Sequence, residues 1–157
     1  MSLVDVYASA RRAEAVASAQ AHAALRAMVA TGMGQREIAD ALGVSQPAVS
    51  QQLRTASKLA HLPPAEALEA SAIVLKEVAA EAGFKNLAVF GSVARGESSQ
   101  ASDIDLLVQQ PDGASLQDLS RLKRALEQVL GHEVDLLAYG ALKPVIDDNI
   151  RREAVLL

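Results

Sequence analysis

Cysteine is absent from the 157 residues, so the chain holds neither a disulfide framework nor a thiolate metal site. Histidine is scarce, with only His22, His61 and His132, scattered positions that read as surface or boundary residues rather than a zinc cluster. Any metal is therefore directed to carboxylates. Tryptophan is missing and aromatics make up 3% of the chain, Tyr7, Phe84, Phe90 and Tyr139, too few for a platform that stacks single-stranded bases. No apolar run approaches the roughly 18 residues a bilayer crossing needs. The Arg pair in MSLVDVYASARR follows its short apolar stretch instead of preceding it, the reverse of a secretory signal. A folded cytoplasmic protein without membrane contact is expected.

Net charge is −4, but it is unevenly spread. Residues 1–62 carry six basic and four acidic side chains, net +2, whereas 63–157 carry nine and fifteen, net −6. Such asymmetry suits a duplex-binding arm beside an acidic domain able to hold divalent cations. The boundary is placed at His61-Leu62-Pro63-Pro64, where two prolines cannot continue a helix. This divides the chain into a helical domain, 1–62, and a second domain, 63–157.

Residues 4 to 30 are alanine-rich and predict one or two helices, with Tyr7, Ala8, Ala15, Ala19, Met28 and Val29 on a packed face. Thr31 to Gly34 ends that stretch. Pro64 opens a helix whose Leu68, Ala72, Leu75 and Ala79 share a face, and Gly83 stops it. Leu87 to Phe90, Ile104 to Val108 and Val134 to Leu137 predict short buried strands. Between the last two, Ser115 and Asp118 form a capping pair for a helix with Leu116, Leu119, Leu122, Leu126 and Val129 facing the core, closed by Gly131. A final helix is expected from Pro144, carrying Val145, Ile146 and Ile150, with Asp147-Asp148 and Arg151-Arg152 on a solvated face.

Residues 35–54, QREIADALGVSQPAVSQQLR, have a mechanical reason at nearly every position. Ile38 and Leu42 share a helical face, Ala39 is small where a second helix must cross, and Gly43 permits the turn. Ser45 caps the second helix, in which Val49 and Leu53 pack inwards. Gln46, Ser50 and Gln51 then point outwards with Arg54 one turn on, a set suited to adenine edges, several base edges and phosphate or guanine. The stretch resembles the helix-turn-helix of bacterial repressors of the ArsR and XRE types, although no wing-like hairpin follows. The resemblance implies binding to operator duplex DNA, and one weakly basic module implies a homodimer reading two half-sites.

Farther on stand VFGSVARG at 89–96, SDIDLLV at 102–108 and VDLL at 134–137. A Gly91-Ser92 pair at a strand end offers close backbone approach, a hydroxyl and N–H groups to a phosphate. Asp103 and Asp105, two apart on a strand, project from one face roughly 7 Å apart. Asp135, alone in an apolar strand, is costly to bury unless it faces metal or a proton acceptor. Hard oxygen donors select Mg²⁺ or Mn²⁺.

These motifs resemble the minimal nucleotidyltransferases of the DNA polymerase beta superfamily, over about residues 64–157. The resemblance implies an α+β chain, an all-helical helix-turn-helix domain followed by a short mixed sheet flanked by helices. It further implies that Gly91 and Ser92 hold the triphosphate of ATP or another NTP, that Asp103 and Asp105 bind metal, and that Asp135 completes the carboxylate triad. Arg95 would neutralise phosphate charge and Ser102 would set the start of the strand beside the nucleotide. Small proteins of that family are commonly encoded beside HEPN toxins and act as antitoxins, some by moving AMP onto a toxin tyrosine. Three readings follow: an antitoxin-like transferase with a DNA-binding arm, a regulator that binds nucleotide without turnover, and a small-molecule nucleotidyltransferase. The third has little chain left for a substrate pocket.

Overall fold

The computed structural model describes residues 1–57 and 61–157. Helix α1 (Leu3–Ala30) is one continuous helix, since no glycine or proline interrupts its alanine-rich run. Ser2 and Asp5 cap it reciprocally, which satisfies two of the donors left free at a helix start. Helices α2 (Gln35–Leu42) and α3 (Gln46–Ala56) follow, joined through Gly43 at φ +67° and capped by Ser45, whose hydroxyl accepts the Ala48 N–H. Beyond α4 (Pro64–Glu81) the chain forms β1 (Lys85–Phe90), the short α5 (Gly91–Ala94) and β2 (Ile104–Gln109). Helix α6 (Leu116–Leu130), β3 (Val134–Ala138), α7 (Asp148–Glu153) and β4 (Val155–Leu156) complete it.

The sheet order is β3-β2-β1-β4, with β2 and β3 parallel and the other two pairs antiparallel. The result is the expected α+β class with a mixed sheet. One sheet face presents Leu87, Val89, Ile104, Leu106, Val108, Val134 and Leu136 to α4 and α6, and this is the main core. The other face carries Ala88, Phe90 and Leu107 under a thinner cover made by Leu142, Tyr139, Ile150 and Ala154. Each fully buried leucine-sized side chain contributes roughly 1.5–3 kcal/mol, so the helix-covered face dominates stability.

Helix α1 belongs to two cores at once. Ala23 and Ala27 are buried against the α4–α6 side, while Leu25, about half a turn round the helix, is buried with Ile38, Ala39 and Val49. Arg26 tightens the second contact by donating from Nη1 to the Ala56 carbonyl at 3.2 Å. The single packed face expected for α1 is therefore corrected: Tyr7 and Val29 are exposed, and Ala19 and Met28 pack against different bodies. A simple apolar period does not describe a helix covered from two sides over only part of its length.

Three further expectations change. Leu42 is 46% exposed and Leu116 81% exposed, each at a helix end that runs past its core. The last helix starts at Asp148, not near Pro144, because the Asp147 carboxylate accepts the Lys143 N–H at 2.7 Å and closes a turn first. Val145 within that turn has φ +72°, and both it and Ile146 face solvent. Strand β4 pairs with β1 and gives no signal of its own in two residues. Among buried polar groups, Ser71 in α4 is fully enclosed and its Oγ has no hydrogen-bond partner among the described residues.

Candidate active site and a second polar face

Strand alternation decides where the acids go. Residues 104, 106 and 108 of β2 turn towards the helices, so Asp105 faces the thinly covered side with Leu107. On β3, Val134 and Leu136 make the same choice and Asp135 takes the side of Leu137. The parallel register sets Asp105 directly beside Asp135, on strands that run about 4.8 Å apart. Asp103 lies just ahead of β2 and is exposed. Asp135 is exposed as well, so the burial cost anticipated for it does not arise. It lies on the thinly covered face of the sheet, away from α4 and α6.

Asp105 is half-buried. That burial, with the negative charges of Asp135 and Asp103 next in weight, raises its carboxyl above the ordinary aspartate value. Antiparallel pairing of Phe90 with Asp105 brings the end of β1 against the same carboxylate. Gly91 follows at φ +68°, and a Cβ there would lie 2.2 Å from Asp105 Oδ2. Only glycine allows this backbone to approach. Gly91 and Ser92 thus stand at the head of α5, half-buried, beside the acidic pair.

The structure adds one residue that sequence reading passed over. Glu153, in the last turn of α7, accepts the Gly91 N–H at 3.1 Å and an Arg95 Nη1–H at 2.9 Å, both through Oε2. Arg95 also donates to Glu97 at 2.9 Å. Next to an Arg151-Arg152 pair, Glu153 looks like part of a solvated helix face. Only the return of the chain through α7 and β4 carries it to the Gly91 turn. Ser102 is committed locally: its Oγ accepts the Ser99 N–H at 2.8 Å and shapes the turn leading to Asp103.

The donor set fits a hard divalent cation. Asp103, Asp105 and Asp135 contribute only carboxylate oxygens, and the repulsion that adds to burial in raising the Asp105 carboxyl is what a cation would relieve. Among the described residues no three histidine, aspartate or glutamate side chains are grouped to hold an ion by themselves. Such an ion would be completed by oxygens of a bound phosphate, as is usual for Mg²⁺ at one or two carboxylates. A cleft of about 540 Å³ is lined by Asp103 and Asp135, whereas another of about 780 Å³, between Thr31, Phe84, Pro111 and Arg121, contains none of these acids.

The second polar face lies on α3. Gln46, Gln51 and Arg54 are exposed and Ser50 is half-buried, while Val49 and Leu53 turn to the core. Gln46 Nε2–H donates to Gln35 at 2.7 Å and Arg54 Nη2–H donates to Gln51 Oε1 at 2.8 Å. The first contact ties the start of α3 to α2, and the second pairs two of the outward side chains with each other.

Comparison with known proteins bears on the C-terminal part. The nucleotidyltransferase domain family model matches residues 72–157. Over 73 residues the chain is 52% identical to a Methanocaldococcus jannaschii protein named "Putative protein adenylyltransferase", covering 46% of this chain and 78% of that protein. It is 39% identical over 80 residues to a protein adenylyltransferase of Thermococcus cleftensis, covering 51% of this chain and 81% of the relative. A solved structure described as "Structure of putative minimal nucleotidyltransferase" matches with a TM-score of 0.57 at 41% identity, over 62% of this chain and 98% of the other.

Proposed function

Since the chain belongs to the nucleotidyltransferase domain family and is a transferase of that class, we propose that it moves a nucleoside monophosphate from an NTP to a hydroxyl group of a partner protein. AMP from ATP is the favoured donor group, because relatives are named protein adenylyltransferases. The observation that carries this reading is the side-by-side register of Asp105 and Asp135 against the Gly91 turn. In it the acceptor oxygen attacks the α-phosphorus, a new P–O bond forms, the bond to the β-phosphate breaks and pyrophosphate leaves.

Each residue has a task. Asp135, exposed on its strand, accepts the proton of the attacking hydroxyl. Gly91 lets the backbone come close to phosphate, the Ser92 hydroxyl donates to a phosphate oxygen, and Arg95 balances charge as pyrophosphate departs. Asp103 and Asp105 would hold Mg²⁺ or Mn²⁺, with Asp135 able to join them once phosphate oxygens complete the shell. A bound ion would supply neutralisation of triphosphate charge and a more acidic acceptor hydroxyl. Ser102 keeps Asp103 in place through its hold on Ser99.

The same chain presents α3 to an operator. Gln46, Ser50 and Gln51 meet base edges in the major groove and Arg54 a phosphate or guanine, two copies reading two half-sites. Both activities together describe an antitoxin-like regulator whose protein acceptor is a HEPN-type toxin encoded nearby. With labelled ATP, Mg²⁺ and that neighbour, label is expected on the partner along with free pyrophosphate, and Asp135→Asn is expected to keep nucleotide binding but lose transfer. Binding of NTP with no transfer to any protein, nucleic acid or small hydroxyl compound would leave a nucleotide-sensing regulator as the better account. Operator binding is tested separately, by anisotropy of promoter against random duplex at matched salt.

A further inference from the structure

Among the described residues, nothing covers the first half of α1. Its 28 residues extend beyond both bodies, and from Leu3 to Ser18 every residue is exposed except the half-buried Ala8. This free stretch is not polar: Leu3 is 88% exposed, Val6 49% and Tyr7 69%. At 100° per residue these three share a face with Ala10, Ala17 and Ala21, so one apolar stripe runs about 27 Å along the helix. Large side chains occupy its N-terminal end and alanines its C-terminal end. Near the middle Glu14 lies on the stripe with Arg11 at its margin, and the two are paired within the helix.

We infer that this face is the surface by which two copies of the chain pair, α1 against α1 and antiparallel. The argument is self-complementarity. An antiparallel pair centred near residue 12 lays Leu3 on the partner's Ala21 and Tyr7 on the partner's Ala17, large on small at both ends. It also sets each Arg11 beside the partner's Glu14, so opposite charges alternate across the two-fold axis. A parallel pair fails on charge, because arginine meets arginine and glutamate meets glutamate. A foreign helix would have no reason to match both the size gradient and the charge order.

The pairing has a geometric consequence for α3, which is tied to α1 at Arg26. With the axis near residue 12, the two Arg26 positions fall roughly 40 Å apart along the pair, on the scale of the ~34 Å that separates successive half-sites on duplex DNA. Only this last step rests on the operator reading. The pairing stands on α1 alone.

Sedimentation equilibrium of the full chain without DNA tests it. A dimer is expected, and Leu3→Asp with Tyr7→Asp is expected to give a monomer of unchanged helicity. Arg11→Glu or Glu14→Arg alone is expected to weaken pairing severalfold, and the double exchange to restore it. Because the chain lacks cysteine, orientation can be read by cross-linking. Leu3→Cys mixed with Ala21→Cys is expected to form a disulfide-linked pair, whereas Leu3→Cys alone is not. A monomer at every concentration, a dimer indifferent to the two aspartates, or self-linked Leu3→Cys would each overturn the proposal. Loss of operator binding with the dimer intact would instead fault the α3 reading.

Discussion

The α2–α3 unit and the α4–β4 unit build their polar faces by opposite means. In the first, four buried residues, Leu25, Ile38, Ala39 and Val49, form the core, and the outward side chains follow from helical periodicity alone. In the second, a far larger core supports a sheet, and the acids meet only because β2 and β3 are in register and β1 ends beside them. Helical surfaces are thus set locally, while a strand-end site depends on which strands are neighbours. The small core also explains why α1 is shared: four side chains at roughly 2 kcal/mol each cannot offset the ordering of some 25 residues.

The contrast breaks most sharply at Asp105. Asp105→Asn is expected to lower transfer by about a hundredfold or more, with operator affinity unchanged, measured on one preparation by label transfer and anisotropy. The same variant should be the more stable protein at neutral pH. The Asp105 carboxyl is raised in the folded state, so between the ordinary aspartate value and the raised one the folded protein binds more protons than the unfolded chain. Stability therefore falls as pH rises through that window and stays lower above it. Asparagine removes the penalty, and thermal unfolding of the two proteins should converge on acidification below the ordinary aspartate range.

Ile38→Ala probes the other side. Loss of this fully buried side chain is expected to cost about 2–4 kcal/mol, concentrated in α2 and α3. Hydrogen exchange should accelerate there and leave the amides of β2 and β3 protected. If both units loosen equally, α1 couples them into a single cooperative body. Gln51→Ala is the milder test, expected to lose about 1–3 kcal/mol of discrimination between operator and random DNA with transfer intact. Arg54→Ala should lower affinity for both and flatten the salt dependence.

The smallest effect belongs to Ser71. Its hydroxyl is buried in the main core without a partner, so Ser71→Ala is expected to raise stability by about 1 kcal/mol in denaturant unfolding and to change neither activity. A loss of stability there would mean that the hydroxyl has a partner in solution.

Much was legible in the chain because it is locally encoded. Ser45 and Ser115 cap the helices they precede, Gly43 and Gly131 take the left-handed turns expected of them, and the three predicted strands form within a residue or two of their limits. Caps, turns and alternation act over three or four residues, and sequence records them directly. The motifs around Gly91, Asp103, Asp105 and Asp135 were visible for the same reason. Tertiary structure alone decided that α1 serves two cores, that Asp135 is exposed rather than buried, and that Glu153 reaches the Gly91 N–H from 62 residues away. Such contacts follow from which faces the sheet and helices leave open after packing, and no period or spacing along the chain carries that choice.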